Sequence, residues 1–450
     1  MLLTDFIVEH ENDDLAALVL QRDRWPDVDM ALAAECIAAR RKLRLKVPEW
    51  YADPALLCPV ALSAEQCSST ATAAHKAAIA VGRSPLKAIR EGQRARPCPV
   101  KGPRSGHCPS ASQRTARIAD LTGGIGVDCW QFSKVAAAVL YNEMNPVLLE
   151  AAKANLSRLG CKNVEYSNIC ISPETLPGLL DSFKPDLVFI DPARRSGGRK
   201  VFLPEDCSPD VLGLQDIILE RGCRLMLKLS PMADISLLLR KLHCVKELHV
   251  VEADGECKEL LLVQEPGFEG ECMVFAEIAG QAGNDGGLAG NDGGLAGNDG
   301  QHGAFCFRLS EEKAAAATFI SEIPASGQLL FEPGPALMKS GAFNLLSARF
   351  GLHKLGPSAH LYLSSTSSAL EGLGKWFEIK EVAPLGKSTL RYFATRWPNA
   401  EVTARALPLS SDELRKKMGV KGGGTVHIFA AGTIAGRLLI AASRWIPDLR

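Results

Sequence analysis

The chain has 450 residues, 46% of them hydrophobic, with 51 Lys and Arg balanced by 51 Asp and Glu. That length exceeds what one hydrophobic core usually supports, so two to four domains are expected, and zero net charge gives no whole-chain sign of a nucleic-acid partner. Fourteen scattered cysteines without a C-x-x-C pair, no signal peptide and no membrane-length apolar run point to a reduced, cytoplasmic protein with free thiols, away from a disulfide framework, a zinc ribbon or a membrane protein.

In chain order, the first irregular stretch is residues 82–115, rich in Arg, Pro, Gly and Ser. There Arg83, Lys87, Arg90, Arg94, Arg96, Lys101 and Arg104 face only Glu91, so the segment reads as a basic flexible insertion, either a solvated loop or a phosphate contact. Cys98, His107 and Cys108 lack a fourth partner and read as incidental, so no metal is expected.

The run Arg117-Ile118-Ala119-Asp120-Leu121-Thr122-Gly123-Gly124-Ile125-Gly126-Val127-Asp128 then ends a short apolar strand in an acid and turns through three glycines toward a helix. Such a turn lets backbone amides approach a nucleoside at the carboxyl edge of a sheet. The dinucleotide pattern G-x-G-x-x-G fails, because Cys129 stands where its third glycine belongs. Asp120, Thr122, Gly124 and Gly126 instead resemble the D-x-G-x-G-x-G loop of class I S-adenosylmethionine (SAM) methyltransferases, with Thr in place of the first Gly.

A second apolar run ends at Tyr141-Asn142-Glu143, and an acid there, 17 residues after Gly126, suits both hydroxyls of a ribose. Leu148, Leu149, Ala152, Leu156 and Leu159 make one helical stripe closed by Gly160, 163–167 reads as a third strand, and 185–190 as a buried fourth. Alternating strands and amphipathic helices imply a parallel sheet covered on both faces. The fourth strand delivers Asp191-Pro192-Ala193-Arg194-Arg195, an acid projected over the cofactor edge by the following Pro. In many base-modifying methyltransferases this place holds Asp-Pro-Pro or Asn-Pro-Pro, whose oxygen accepts a hydrogen bond from an acceptor amine.

Residues 283–300 repeat Gly-Asn-Asp-Gly-Gly-Leu-Ala-like units, expected as a linker that lacks the strand residues of a calcium-binding repeat. Beyond it, 304–309 reads as a strand and 311–323 as a helix. The end of the chain reads as a small α/β module: strand 376–382, helix 387–397, strand 401–407, helix 411–418 capped by Ser410 or Ser411, a basic Lys421-Gly422-Gly423-Gly424 hairpin connection and strand 425–431. It carries a second basic cluster of Lys375, Lys380, Lys387, Arg391, Arg396, Arg405, Arg415, Lys416, Lys417 and Lys421.

Together, Asp120 to Asp128, Asp191 to Arg195, Leu227-Lys228-Leu229-Ser230-Pro231-Met232 and Glu256-Cys257-Lys258-Glu259-Leu260-Leu261 resemble bacterial class I SAM-dependent methyltransferases that carry a C-terminal THUMP-like domain. Further matches are Glu65-Gln66-Cys67-Ser68-Ser69, Glu332-Pro333 and Lys339-Ser340-Gly341-Ala342-Phe343. The resemblance implies an α/β chain: an N-terminal helical region (1–81), the insertion (82–115), a Rossmann-like methyltransferase domain (116–268), a ferredoxin-like region (269–371) and a THUMP-like domain (372–450) of the kind that docks structured RNA. It departs from the family at Asn168-Ile169-Cys170, where an acid usually meets the adenine amine, and at Gly334-Pro335.

The expected cofactor is SAM, held by Asp120, Thr122, Gly123, Gly124, Gly126, Asp128, Glu143, Asn168 or Cys170, and Asp191. The expected reaction is methylation of a base nitrogen in tRNA or rRNA, with Asp191 and the Pro192 or Ala193 backbone receiving the amine. Arg194 and Arg195 either hold a phosphate or form an ion pair, and Lys228 either orients substrate or is structural. A C5-pyrimidine reaction is disfavoured, since no cysteine follows the fifth strand. Methylation of a small molecule or protein, and an inactive RNA-binding protein, are the competing readings. Oligomeric state is not legible.

Overall fold

The structure, a computed structural model, describes residues 2–82, 115–194, 207–280, 304–365, 370 and 372–446. Nearly all of the basic insertion, all of the Gly-Asn-Asp repeat, and Arg195 lie outside the described residues. Two compact units are present: Met1–Leu248, Lys258–Glu271 and Ala279–Gly293 form one, and His249–Cys257, Cys272–Ile278 and Gly294–Arg450 the other.

The first unit opens with six helices: α1 (Leu3–Glu9), α2 (Leu15–Leu20), α3 (Met30–Lys46), α4 (Pro48–Tyr51), α5 (Ala61–Gln66) and α6 (Thr70–Ala80). Their starts are written in the sequence. Asp14 and Asp29 accept from Ala17 N and Leu32 N, and Ser69 and Thr72 form a reciprocal capping box that satisfies otherwise orphaned amides. Phe6, Ile7, Leu18, Met30, Ala33, Cys36 and Ile37 bury a shared core.

A sheet follows, built from β1 (Arg117–Asp120), β2 (Ala138–Asn142), β3 (Val164–Ser167), β4 (Leu187–Ile190), β5 (Arg224–Leu229), β6 (Val245–Ala253) and β7 (Glu256–Gln264), in the order β3-β2-β1-β4-β5-β7-β6. The division between the units runs through β6 and β7. β1 to β5 are parallel, separated by α7 (Val127–Val135), α8 (Pro146–Arg158), α9 (Leu176–Phe183) and α10 (Val211–Glu220), while α11 (Ile235–Lys241) precedes β6. β4 is buried along its whole length, as a strand covered on both faces must be. The expected parallel sheet therefore holds for five strands only. β7 runs antiparallel to β5, pairing Leu225 with Gln264 and Leu229 with Leu260, because β6 and β7 are joined by the tight turn Asp254–Gly255, both at positive φ.

In the second unit β8 (Met273–Ile278) pairs antiparallel with β9 (Ala304–Arg308). An eight-stranded sheet then takes β10 (Thr318–Phe319), β11 (Leu329–Pro333), β12 (His353–Lys354), β13 (Tyr362–Ser364), β14 (Gly374–Pro384), β15 (Asn399–Arg405), β16 (Lys421–Thr433) and β17 (Gly436–Arg444) in the order β10-β12-β13-β11-β14-β17-β16-β15, with α12 (Leu309–Ala314) before β10 and α13 (Pro335–Ser340) and α14 (Phe343–Phe350) between β11 and β12. One face buries Phe377, Ile379, Phe429 and Ile440, while the other buries Ile428, Ala430, Leu439 and Ala441 under Phe393 of α15 (Lys387–Arg396) and Leu414 and Met418 of α16 (Ser411–Met418). This is the period-two alternation of a strand covered on both sides.

Three expectations change here. The helix expected over 311–323 is only α12 (Leu309–Ala314), because Thr318 and Phe319 pair with His353 and Lys354 and Thr318 N donates to Ser347 Oγ at 2.8 Å. Tertiary pairing overrides the helix propensity of the Ala run. Lys421 to Gly424 is the start of β16 and not a hairpin connection. The register against β15 jumps from Asn399 opposite Lys421 to Ala400 opposite Val426, and a Cβ on Gly424 would lie 2.3 Å from the Asn399 carbonyl oxygen. Finally, β17 extends the module beyond its last expected strand.

Candidate active site

The glycine turn leaves β1 with Asp120 and enters α7 through Gly126, in left-handed conformation at φ 95°. Gly123 N donates to the Asn142 carbonyl at 2.9 Å, tying the turn to the end of β2. Gly123 is required by space, since a Cβ there would lie 2.2 Å from the Tyr141 ring. Tyr141 is fully buried and donates its hydroxyl to the Gly124 carbonyl. Burial pushes the Tyr141 phenol up, which keeps it a donor.

Glu143 follows β2 and is 9% exposed. Its Oε2 accepts from Gly124 N and its Oε1 from Asn145 N, each at 2.9 Å. Each carboxylate oxygen keeps a further lone-pair site, so the group can still receive two hydroxyls. Asn168 donates its side-chain amide to the Glu143 carbonyl at 2.6 Å, bracing the same strand end, while Cys170 is exposed and its carbonyl accepts from Thr175 Oγ1.

Asp120 is 1% exposed; Oδ1 accepts from Thr122 N at 3.2 Å, whereas Oδ2 has no hydrogen-bond partner among the described residues. Burial first, and the nearby charge of Asp128 second, lift its carboxyl well above the usual range. A buried, unsatisfied acid under a glycine turn fits a cationic, hydrogen-bond-donating ligand. Thr122, the departure from the glycine pattern, accepts from Asp191 N at 2.7 Å through its hydroxyl and so fixes the acid of β4 to the turn.

Asp191 is 33% exposed at its side chain, and its Oδ2 lies 2.5 Å from Nζ of Lys228, which is 16% exposed. Burial opposes the Lys228 charge, yet the carboxylates of Asp191, Glu259 and Asp128 outweigh it and raise its pKa above the usual lysine value. Lys228 is therefore a cation and cannot serve as a base. After Pro192, the backbone of Ala193 and Arg194 pairs with Cys207 and Ser208 in a two-residue antiparallel ladder.

Asp128, the second residue of α7, is brought to the same region. Its Oδ2 accepts from Ser68 Oγ at 2.8 Å, and its Oδ1 lies 3.2 Å from Nζ of Lys76 without hydrogen-bond geometry. Lys76, fully buried, also donates to Ser68 Oγ at 2.8 Å and to both oxygens of Glu259 at 3.0 and 3.1 Å. Sequence reasoning misses Lys76, although a lone Lys on the buried side of an Ala-rich helix is its signal. The separate motifs around Ser68 and Glu259 meet here.

Cys67 is the thiol adjoining this network. Burial pushes it up to about 11, so it is not a thiolate near neutral pH. Cys223 is buried and donates to the Pro185 carbonyl, at the far end of β5. All described cysteines are free thiols, and among the described residues no helix is long and apolar enough to cross a membrane.

In the second unit the basic cluster is partly neutralised. Arg396 pairs with Glu381, Arg405 with Glu332, Arg415 with Asp412 and Lys380 with Glu378. Lys387 and Arg391 on α15, Lys416 and Lys417 on α16, and Lys421 are exposed and carry no ion pair among the described residues.

Residues 329–369 match a ferredoxin-like domain family and residues 374–444 a THUMP domain-like family. An uncharacterized SAM-dependent methyltransferase of Mycobacterium tuberculosis is 25% identical over 338 residues, covering 73% of this chain and 82% of that protein. A crystal structure described as that of a "putative methyltransferase from Porphyromonas gingivalis W83" matches with a TM-score of 0.76 at 26% identity, covering 99% of this chain and 98% of that one.

Proposed function

We propose that this chain, related to the SAM-dependent methyltransferases and carrying ferredoxin-like and THUMP-like modules, methylates a base nitrogen of structured RNA, tRNA or rRNA. By homology it is a SAM-dependent methyltransferase; the proposal concerns the acceptor and the residues that serve it. The observation that carries it is Asp191, a part-exposed acid held by its backbone on Thr122 of the glycine turn and by its carboxylate on Lys228.

SAM, when bound, supplies a methyl group already activated by its sulfonium. Asp120, Gly123, Gly124 and Gly126 form the floor of its site, with Glu143 for the ribose, Asn168 and Cys170 at the adenine end, and Asp128 anchoring the start of α7. Asp191 and the carbonyl of Pro192 accept hydrogen bonds from the acceptor amine, localising its lone pair toward the methyl and stabilising the positive charge that develops on the nitrogen, whose proton then passes to the Asp191 carboxylate and on to water. Lys228 holds Asp191 in one orientation and yields Oδ2 to the incoming amine. The backbone of Arg194 follows in a short ladder, and its side chain, which lies outside the described residues, is assigned the flanking phosphate. The THUMP-like module supports RNA as the acceptor, with the unpaired cations of α15 and α16 following the phosphate backbone, and a base in a folded region is flipped out to reach Asp191.

The test is Asp191→Ala with radiolabelled SAM and bulk tRNA and rRNA. Transfer is expected to fall by about 100-fold or more while the Kd for SAM stays within about threefold. Retained turnover would remove Asp191 from this role, and loss of SAM binding would reassign it to the cofactor.

A further inference from the structure

At the start of α7, next to the glycine turn, lies a buried ionic cluster of which the methyl-transfer reading uses only Asp128. Lys76 of α6 contacts Asp128, the second residue of α7, and Glu259 of β7, with Ser68 hydrogen-bonded to both Lys76 and Asp128. Lys76 is 0% and Glu259 2% exposed. The cluster holds one cation against two carboxylates, a net charge of −1, in a place where water cannot screen it. Its field reaches both sides of the site: Asp120 responds to Asp128, and Lys228 responds to Glu259 and Asp128. SAM carries a sulfonium that its product, S-adenosylhomocysteine, has lost with the methyl group. A fixed buried charge beside the turn therefore acts on the two ligands differently, whereas shape acts on them almost alike.

We propose that the Lys76–Asp128–Glu259 cluster sets the discrimination between SAM and S-adenosylhomocysteine, its net negative charge favouring the sulfonium and aiding product release. The proposal rests on SAM being the cofactor. Lys76 and Glu259 act through Asp128 and through their field, and are positioning residues for the cofactor turn. The N-terminal helices thereby serve the chemistry through α6.

The test is calorimetric binding of SAM and of S-adenosylhomocysteine to the full chain, expressed as the ratio of the product Kd to the SAM Kd. Glu259→Gln keeps the shape and the Lys76–Asp128 contact but takes the cluster from −1 to neutral, so the ratio should fall by about threefold or more. The double variant Lys76→Met/Glu259→Gln leaves Asp128 alone, again at −1, and the ratio should return to the wild-type value even though two members of the cluster are gone. A cluster that is only structural would weaken both ligands equally, and the double variant more than the single. That result, or a ratio unmoved in Glu259→Gln, overturns the proposal. Should the double variant not fold, the Glu259→Gln ratio decides alone. Wild-type protein that binds neither ligand would instead overturn the cofactor assignment.

Discussion

Gly123→Ala is the smallest change that should disable the cofactor site. The added Cβ would stand 2.2 Å from Tyr141 Cε2 and 2.6 Å from Cδ2 and Cζ. Carbon atoms rest at about 3.5–4.0 Å, so either the ring or the turn must move by more than about 1 Å. The ring is the stiffer partner, being fully buried, tilted against Tyr166 at 5.9 Å between centroids and bonded through its hydroxyl to Gly124. The turn moves instead, and with it Gly124 N, which binds Glu143. Overpacking of this kind costs about 1–3 kcal/mol, and a displacement of about 1 Å at a binding turn is worth up to about 100-fold. Thermal melting and calorimetry with SAM should report a lower Tm and a Kd raised at least about tenfold. Gly123→Ala combined with Tyr141→Leu, which opens the space, should recover part of both. An unchanged Kd for SAM in Gly123→Ala would show that the turn tolerates the added methyl group and does not hold the cofactor.

Two further outcomes follow from charge. Asp120→Asn should hold or raise Tm near neutral pH while weakening SAM binding. Because burial lifts the folded-state carboxyl, ionisation is disfavoured in the folded chain, and the stability Asp120 contributes falls as pH rises from the ordinary carboxylate range through its lifted value. The Asn variant should lose that slope in melts run from acid to neutral pH, and an unaltered slope would contradict the assignment. In the second unit, Lys387→Glu, Arg391→Glu and Lys416→Glu should weaken binding of bulk tRNA and lower the salt slope by about one for each phosphate no longer neutralised, leaving SAM affinity unchanged. Binding insensitive to all three would place the RNA elsewhere.

Most of the first unit was legible because its signals are local. The Asp-to-Gly run, the acid after β2 and the Asp-Pro after β4 each sit at a strand end, and strand ends in a parallel sheet share one edge. The role of Thr122 was not legible, since its partner, Asp191 N, is 69 residues away. Nor was Lys76, whose partner Glu259 is 183 residues away and whose neighbours in sequence are those of an ordinary Ala-rich helix. Asp128 read as a cofactor residue from its place beside the glycines, and only the side-chain contacts place its carboxylate against Ser68 and Lys76. In the second unit, the helix expected to run to Ile323 failed where Thr318 and Phe319 found strand partners, and the Gly422–Gly424 run read as a turn although it bulges within a strand. Propensity describes a segment alone; pairing across distant segments decided both cases.

On the proposed reading, a base in structured RNA receives the methyl group at Asp191. The most direct measurement is nucleoside mass spectrometry of tRNA and rRNA from cells lacking this chain, before and after incubation with the purified protein and SAM. One methylated nucleoside should be missing from the deletion strain, be restored by the wild-type protein and remain missing with Asp191→Ala. An identical set of methylated nucleosides with and without the chain would contradict the account.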